Sequence, residues 1–510
     1  MNRDLLRDLS AALAAALLVT TAAVVGTFLE HRYGNLHVSW PPLYGHWEPH
    51  LGPGTPAAIL VAVAVVAYGP SLAARLPWRA LLWSSWGTAM AWTFSLALVD
   101  GWQRGIALRL TTKYEYLQVI NPVNRFHDIP AALRDFTQHI VIHSSDAWPA
   151  HVAGHPPAAT LTFVLLDRIG LGGGAWAGVW CITVGATAAA AVLVTVRALC
   201  GEELARRAAP FLVLAPAAVW MGTSADGYFT AVAAWAVAFL ALAVTGPRPR
   251  SAGLASGLLF GLVVYLSYGL TLFAVIAGGV LLLGSRKLRP CRLDHLGVAG
   301  RGTRVCGVVV GRQRSALTPS SALQPHAPRP ARVDREEPHL TAELIQTTGP
   351  SPLPYVLAGF VVLPAVFTFM GFNWWEAYHL LVTRYYQGAG GIRPYWYWVW
   401  ANLACTVLLV GPATVAGLRR AGAASVRQGV RGCLRRPDGE PRLALLVGAA
   451  LLALLAADLS GMSKAETERI WLPFAVWLLP AAAFLNRPRA WLTAQAALAL
   501  LLNHLLVTGW

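Results

Sequence analysis

Two aspartates at the ends of apolar stretches have the chemistry of proton acceptors. Asp100 ends one apolar run, and Asp226 lies in the short polar segment 223–228 between two others. A carboxylate at the end of a helix can remove a proton from an attacking hydroxyl group, and the helix holds it in place. Each also has a simpler interpretation, because Asp100 could merely face water and Asp226 could cap the helix that begins there. The residues alone do not choose between them as the base.

Basic and aromatic side chains are concentrated in two later segments, 372–400 and 458–469. Guanidinium groups match phosphate oxygens, and aromatic faces stack on planar or apolar ligand surfaces. The aromatic residues could instead form a belt at a membrane interface. Arg469 could instead snorkel to the interface or form a salt bridge with Glu466 or Glu468. The candidate substrate-binding residues are Trp375, Glu376, Arg384, Tyr385, Tyr386, Arg393, Lys464 and Arg469.

His155 precedes two prolines and is a further candidate for substrate contact. His139, His143 and His151 lie nearby in the chain, and imidazole is a common metal ligand. Their spacing is not that of a compact ligand set, so we predict no metal. We expect His155 to form hydrogen bonds and the prolines to begin a helix.

The elements that hold these residues are predicted to be membrane spans. The chain has 510 residues, of which 56% are hydrophobic and only 13% charged. A span needs about 20 apolar residues to cross about 30 Å of hydrocarbon. We therefore predict an all-α polytopic membrane protein with thirteen spans, centred near residues 18, 65, 90, 185, 214, 236, 260, 276, 362, 406, 451, 478 and 499.

The net charge of +16 is explained by membrane insertion rather than by nucleic-acid binding. Threading the spans in and out places most Arg on the side of the N-terminus, as the positive-inside rule requires for the cytoplasm. The His-rich and Trp/Tyr-rich loops fall on the outside. The scarcity of Lys suggests a GC-rich bacterial genome, so we predict a plasma-membrane protein whose only implied general partner is anionic lipid.

The order of these pieces resembles the GT-C superfamily of membrane glycosyltransferases, in its protein O-mannosyltransferase and aminoarabinose transferase branch. Those proteins carry a catalytic Asp after a module's first helix, a long first outside loop, and His-Pro-Pro near the end of that loop. The matching positions here are Asp100, residues 101–174 and His155-Pro156-Pro157. Residues 372–398 and 458–474 are similar to segments of uncharacterised actinobacterial multipass proteins. This chain differs in having Gly101 where the family often has a second acid.

The resemblance implies a division of the chain into four parts. Residues 1–79 would be a two-helix extension, and 80–284 a GT-C-like module with its outside loop at 101–174. Residues 285–350 are an anomalous Arg/Pro/Ser-rich linker, either disordered or a misread frame. Residues 351–510 would supply the C-terminal helices, with outside loops at 372–400 and 458–469.

The implied activity is inverting transfer of a sugar from a polyprenyl-phosphate donor to a lipid, glycan or protein acceptor at the outer face. Asp100, or alternatively Asp226, would be the base, and no cofactor is implied. A lipid or solute transporter is a rival, although such a protein needs ionisable groups near the bilayer midplane and few are found there. The third hypothesis is that the protein is a catalytically inactive subunit of a cell-envelope synthesis complex. A nucleotide-sugar enzyme is disfavoured because no Gly-rich phosphate loop is apparent.

Overall fold

Long apolar helices make up most of the chain. The structure is a computed structural model that describes residues 3–120, 124–284, 351–435 and 439–508, which belong to one compact unit; the predicted linker 285–350 lies outside them. Within these ranges seven helices are long and apolar enough to cross a membrane, or eight if a pair bent by 77° is one span. The chain is therefore an all-α membrane protein in its coarse architecture.

The helices are numbered in chain order. They are α1 (Arg3–Tyr33), α2 (Thr55–Arg75), α3 (Trp78–Ala97), α4 (Ile129–Arg134), α5 (Ala150–Gly154), α6 (Pro157–Arg168), α7 (Gly174–Gly185), α8 (Thr187–Cys200), α9 (Glu202–Val213), α10 (Ala218–Met221), α11 (Ala225–Thr245), α12 (Pro249–Leu266), α13 (Phe273–Gly284), α14 (Leu353–Phe369), α15 (Trp374–Gln387), α16 (Ala389–Ile392), α17 (Tyr395–Arg435), α18 (Gly439–Leu459), α19 (Thr467–Ile470), α20 (Leu472–Ala475) and α21 (Pro488–Leu505). Two short strands, β1 (Gly45–Trp47) and β2 (Leu506–Thr508), pair antiparallel.

Seven of the thirteen predicted centres lie in the seven spanning helices: α1, α2, α7 with α8, α11, α12, α17 and α18. The centre near 362 lies in the bent pair α14 and α15, and those near 276 and 478 lie in apolar segments of fewer than 18 residues. Pro473 and Pro480 begin short turns there, which is expected because proline cannot continue a helical hydrogen-bond ladder. The count of thirteen remains a prediction.

Exposed apolar side chains indicate which helices would contact hydrocarbon in a membrane. Leu13 and Leu17 of α1 are about 60% exposed, at 63% and 60%. Leu60 of α2 and Val361 of α14 are likewise exposed. In water each such side chain would cost about 25 cal/mol per Å² of apolar area, a cost that contact with lipid removes. Tryptophans on the interior are fully buried: Trp92, Trp220, Trp398, Trp471 and Trp477.

One end of the bundle, which we call the site end, is where α3, α18 and α21 finish and α11 begins. Asn503 of α21 donates to the Leu96 carbonyl of α3 at 3.1 Å. Asn402 donates to Asp458 at the end of α18 at 2.9 Å. Thr223, just before α11, donates to the Gly105 carbonyl at 2.7 Å. These contacts bring both candidate aspartates to the same end.

Arginine side chains connect the helices at the opposite end of the bundle. Arg420 and Arg419 pair with the buried Asp8 at 2.6 and 2.7 Å. Arg206 donates to the last carbonyls of α2, and Arg442 donates to those of α8 and α13. Cations are favoured near helix C-termini, whose carbonyls lack partners within the helix. The basic residues of this end therefore join helix ends to one another.

The region 101–174 is a layer of short helical turns rather than a set of spans. Its longest element is α6, which begins at the predicted Pro-Pro position. Residues 129–142 form α4 and a 3-10 turn, and Phe136 and Ile140 from this stretch are fully buried. Trp148 donates to the Phe136 carbonyl at 2.9 Å. This layer supplies Glu115, His151 and His155 to the site end.

Candidate functional site

Asp100 lies at the centre of a charged cluster at the site end. Arg109 donates to its Oδ2 at 2.7 Å, and the His50 Nε2 lies 2.9 Å from its Oδ1. Arg104 reaches Oδ1 at 3.4 Å and Glu48 at 3.1 Å. The Asp100 side chain is 14% exposed and that of Arg104 is 46% exposed, so this cluster opens to the surface. We call these five residues the Asp100 cluster.

Local backbone geometry places Asp100 and its arginines together. α3 tightens into a 3-10 turn at Leu98–Asp100, and Gly101 then adopts a φ of 79°, which glycine accepts without strain. A π-helix at Gln103–Ala107 follows and returns Arg104 towards Asp100. Such π-helical turns occur often at functional sites. Arg109 is fixed by the Thr508 carbonyl of β2, at 2.6 Å.

The pairing of β1 with β2 brings His50 to Asp100. The pairing continues beyond the strands, since the Glu48 and His50 amides donate to the carbonyls of Leu505 and His504 at 3.0 and 2.9 Å. His50 Nδ1 contacts the Glu48 carbonyl at 2.7 Å, which orients Nε2 towards Asp100. The position of the His50 imidazole therefore depends on the pairing of two strands that are far apart in the sequence.

The Asp100 cluster combines a proton acceptor with groups that can bind an anion. Among the described residues, Asp100 Oδ2 accepts a hydrogen bond from Arg109 alone, so a second lone pair of this oxygen is available to a hydroxyl group. Arg104 is half exposed and has a planar fork that suits phosphate oxygens. A hydroxyl nucleophile and a phosphate could thus bind within one cluster.

Asp226 belongs to a second, more deeply buried cluster. Arg469 donates to its Oδ2 at 2.6 Å, and the two side chains are only 6% and 5% exposed. Arg469 also reaches Glu466 at 3.3 Å and His151 Nε2 at 3.4 Å. Of the two interpretations of Asp226, capping does not apply, because Ser224 occupies the N-cap position and accepts from the Asp226 amide at 3.2 Å. Asp226 uses its carboxylate to hold Arg469 instead.

Glu115 and His151 complete this Asp226 cluster from the 101–174 layer. With Arg469 donating to His151 Nε2, the Nδ1 proton of His151 faces Glu115 Oε1 at 2.8 Å. Burial raises the pKa of Glu115, but His151, Arg469 and His155 outweigh burial, and the pKa lies below its usual value. Carboxylates and cations alternate along this chain of contacts. It joins three separate parts of the sequence.

His155 lies beside this cluster as a neutral hydrogen-bonding residue. Burial lowers the pKa of His155 to about 4. Its Nδ1 donates to the His151 carbonyl at 2.8 Å and lies 3.1 Å from the Tyr116 hydroxyl. Its position is thus set by the turn that also carries His151, and direct substrate contact by His155 remains a prediction.

The segment that carries Arg469 is held in a strained backbone. Ala465 and Glu466 both have left-handed backbone angles, with φ of 71° and 62°. Each such residue costs about 1–2 kcal/mol relative to the usual conformation. Strain of this kind persists where surrounding contacts fix it, and it is concentrated at functional sites. Here Lys464 and Arg393 supply the fixing contacts.

Three predicted phosphate-binding cations have donors engaged by backbone carbonyls. Arg384 donates to the carbonyls of Ile140 and Trp148. Arg393 donates to the Leu36 and Lys464 carbonyls at 2.9 and 2.8 Å, and Lys464 donates to that of Gly390 at 2.8 Å. These cations join loops at the site end, so their roles in ligand binding remain predictions. Arg384 and Lys464 belong to neither the Asp100 cluster nor the Asp226 cluster.

The predicted aromatic contacts lie along α15 and differ in exposure. Trp375 is 70% and Tyr386 52% exposed, and Glu376 is also exposed. Tyr385 packs against Gly390. Trp375 and Tyr386 are thus accessible to a ligand or to lipid, whereas Tyr385 fills space between α15 and α16.

Glu468, which precedes Arg469 in α19, is a fully buried acid. Its Oε1 accepts from the Tyr44 amide at 2.9 Å, and its Oε2 has no hydrogen-bond partner among the described residues. Burial raises the pKa of Glu468 to about 7. An acid with a raised pKa in the folded state stabilises the fold less as pH increases. The loss begins near the ordinary carboxyl pKa and is complete above about 7.

Glu468→Gln is therefore expected to stabilise the protein at pH 8 and to flatten the dependence of its melting temperature on pH between 5 and 8. The reason is that glutamine has no ionised form to bury. Melting curves of the wild type, Glu468→Gln and the exposed control Glu376→Gln across this range test it. Parallel pH profiles for all three proteins would refute the assignment.

Sequence reasoning missed several members of these clusters. Arg104 follows Asp100 by four residues, a spacing that indicates a shared helical face. Arg109 carried no such signal, because a π-turn intervenes. His50, Glu48 and Glu115 were not predicted either, since each reaches its cluster through tertiary contacts.

Among the described residues no group of three or more His, Cys, Asp or Glu side chains is arranged to hold a metal ion. Comparisons with protein-family models, with curated proteins and with solved structures found no match for this chain. The functional argument therefore rests on the clusters themselves.

Proposed function

We propose that the chain is a membrane glycosyltransferase that moves a sugar from a polyprenyl-phosphate donor to an acceptor hydroxyl, with inversion at the anomeric carbon. The observation that carries the proposal is the Asp100 cluster: a partly open carboxylate with two arginines and a histidine, at the end of an apolar helix. The resemblance to the GT-C layout supports it, because Asp100 is the position that the layout assigns to the base.

The proposed mechanism uses the carboxylate of Asp100 and the two arginines of this cluster. Asp100 Oδ2 accepts the proton of the acceptor hydroxyl, whose oxygen forms the new bond to the anomeric carbon. The bond from that carbon to the phosphate oxygen breaks, and polyprenyl phosphate leaves as an anion. Arg104 and Arg109 lie where they can stabilise this charge, and fixed cations act most strongly where water is excluded.

The Asp226 cluster is assigned a positioning role. Arg469 ties the strained 460–470 segment to α11 through Asp226, and His151 ties it to the 101–174 layer. Both members of the Asp226–Arg469 pair are nearly inaccessible, which makes Asp226 the less suitable base. Lys464 and Arg393 hold the same segment from its other side.

The proposed site faces the outside of a bacterial plasma membrane. The opposite end carries Arg206, Arg419, Arg420 and Arg442, and cytoplasmic ends of membrane proteins are enriched in such residues. The N-terminus would then be cytoplasmic. Donor lipids would reach the site end from the outer leaflet.

Donor binding tests this proposal directly. Purified protein in detergent would be analysed by native mass spectrometry against a panel of polyprenyl-phosphate sugars. We expect one donor to bind and Arg104→Gln to weaken it at least about tenfold, since hydrogen bonds to charged groups contribute about 1.5–3 kcal/mol. The exposed Arg32→Gln is the matched control. Binding that Arg104→Gln leaves unchanged, or no binding to folded protein, would refute the proposed site.

A further inference from the structure

A groove with a volume of about 570 Å³ runs between α12 and α14. Val264 and Tyr265 form one wall, and Phe360, Pro364 and Thr368 form the other. The three residues of α14 recur every four positions, so they share one face of the helix. Eight residues of α-helix measure about 12 Å, which is the length of this wall.

The groove continues onto an exposed apolar surface. Next to its α14 wall, Val361, Val362 and Val366 are about half exposed. An apolar trough of this size holds water poorly, because water needs two to four polar partners. A flexible apolar chain from the surrounding bilayer can fill it without a desolvation cost.

The aliphatic stem of an arginine packs against the end of the groove. Gly371, at the bend between α14 and α15, lines the groove and packs against Arg134 of α4, so that a Cβ atom there would come within 2.6 Å of Arg134 Cγ. The Arg134 side chain is exposed and makes no hydrogen bond or ion pair with the described residues. An apolar trough with an exposed arginine at its end suits an amphiphile with an anionic head.

We propose that this groove binds an acyl chain of one anionic phospholipid, with the head-group phosphate beside Arg134. The predicted substrate contact Trp375 is among the residues that line the groove. No residue of the Asp100 cluster or the Asp226 cluster lines it, which favours a resident bilayer lipid over the sugar donor. The proposal is independent of the transferase activity. It requires only that α12 and α14 lie in a bilayer.

The test is lipid retention by the full chain. Protein purified in mild detergent would be stripped of lipid, offered dioleoylphosphatidylglycerol, dioleoylphosphatidylcholine or polyprenyl phosphate, and analysed by native mass spectrometry. We expect one phosphatidylglycerol to be retained per chain. Thr368→Trp fills the groove and should abolish retention. Thr368→Val replaces the hydroxyl, which forms a hydrogen bond with Tyr265, by a methyl group of similar size and should preserve retention.

The charge at the rim is tested separately. Arg134→Gln should reduce the preference for phosphatidylglycerol over phosphatidylcholine about fivefold, as expected for loss of one basic residue at a lipid surface, whereas Arg134→Lys should keep it. Val366→Trp, outside the groove, should behave as the wild type. Retention unaffected by Thr368→Trp, no retained lipid in folded protein, or capture of polyprenyl phosphate in preference to phosphatidylglycerol would overturn the proposal.

Discussion

Asp100→Asn is expected to slow sugar transfer by about 10²–10⁴-fold, the range that a positioned general base contributes. Asparagine keeps the size and a hydrogen-bonding oxygen of the side chain, so Arg109 retains an acceptor while proton abstraction is lost. Donor binding should change little, because Arg104 and Arg109 remain. The measurement is turnover at saturating donor, with donor affinity determined on the same preparations.

The control for this prediction is Asp135→Asn, at an exposed aspartate of the 101–174 layer. It should leave turnover unchanged. Asp226→Asn must be compared as well, at matched folded fraction. If Asp100→Asn retained full turnover and Asp226→Asn lost it, the base would be Asp226, and the Asp100 cluster would have only a structural role.

Arg469→Met is expected to have the largest effect on stability, lowering the free energy of unfolding by about 3–5 kcal/mol. The physical reason is that Asp226 is nearly inaccessible and would keep a buried charge without its closest cation. The 460–470 segment would also lose its tie to α11. Thermal and denaturant unfolding in detergent, followed by tryptophan fluorescence, measures this loss.

A double-variant cycle separates the ion pair from other causes. Combining Arg469→Met with Asp226→Asn should restore part of the lost stability, because the second change removes the uncompensated charge. Arg32→Met, at an exposed position of α1, is the matched single control. Strictly additive losses would show that the two side chains do not stabilise each other.

Residues whose positions follow from local sequence were predictable. The apolar runs predicted the seven spanning helices, since length and composition decide membrane crossing. The sequence predicted that Asp100 follows the end of an apolar helix, and Asp100 lies in the turn after α3. The prolines after His155 begin α6, as predicted. Each of these features depends on neighbouring residues.

Partners from distant parts of the chain could not be predicted. Arg393 and Lys464 are cations in aromatic or charged loops, which suggested phosphate, yet carbonyls of remote loops take their donors. Leu36 and Arg393 are 357 residues apart, and no local pattern encodes their contact. His50 likewise reaches Asp100 only because β1 pairs with β2. Tertiary packing thus decided which charges remained open to a ligand.

The most direct test of the proposed function is a transfer assay with purified protein in liposomes. Polyprenyl-phosphate sugars would be supplied with hydroxyl acceptors from bacterial envelopes, and released polyprenyl phosphate and product anomeric configuration would be measured. We predict release from one donor, a product of inverted configuration, and loss of both with Asp100→Asn. Absence of polyprenyl phosphate release from every donor by folded protein, or a product of retained configuration, would contradict it.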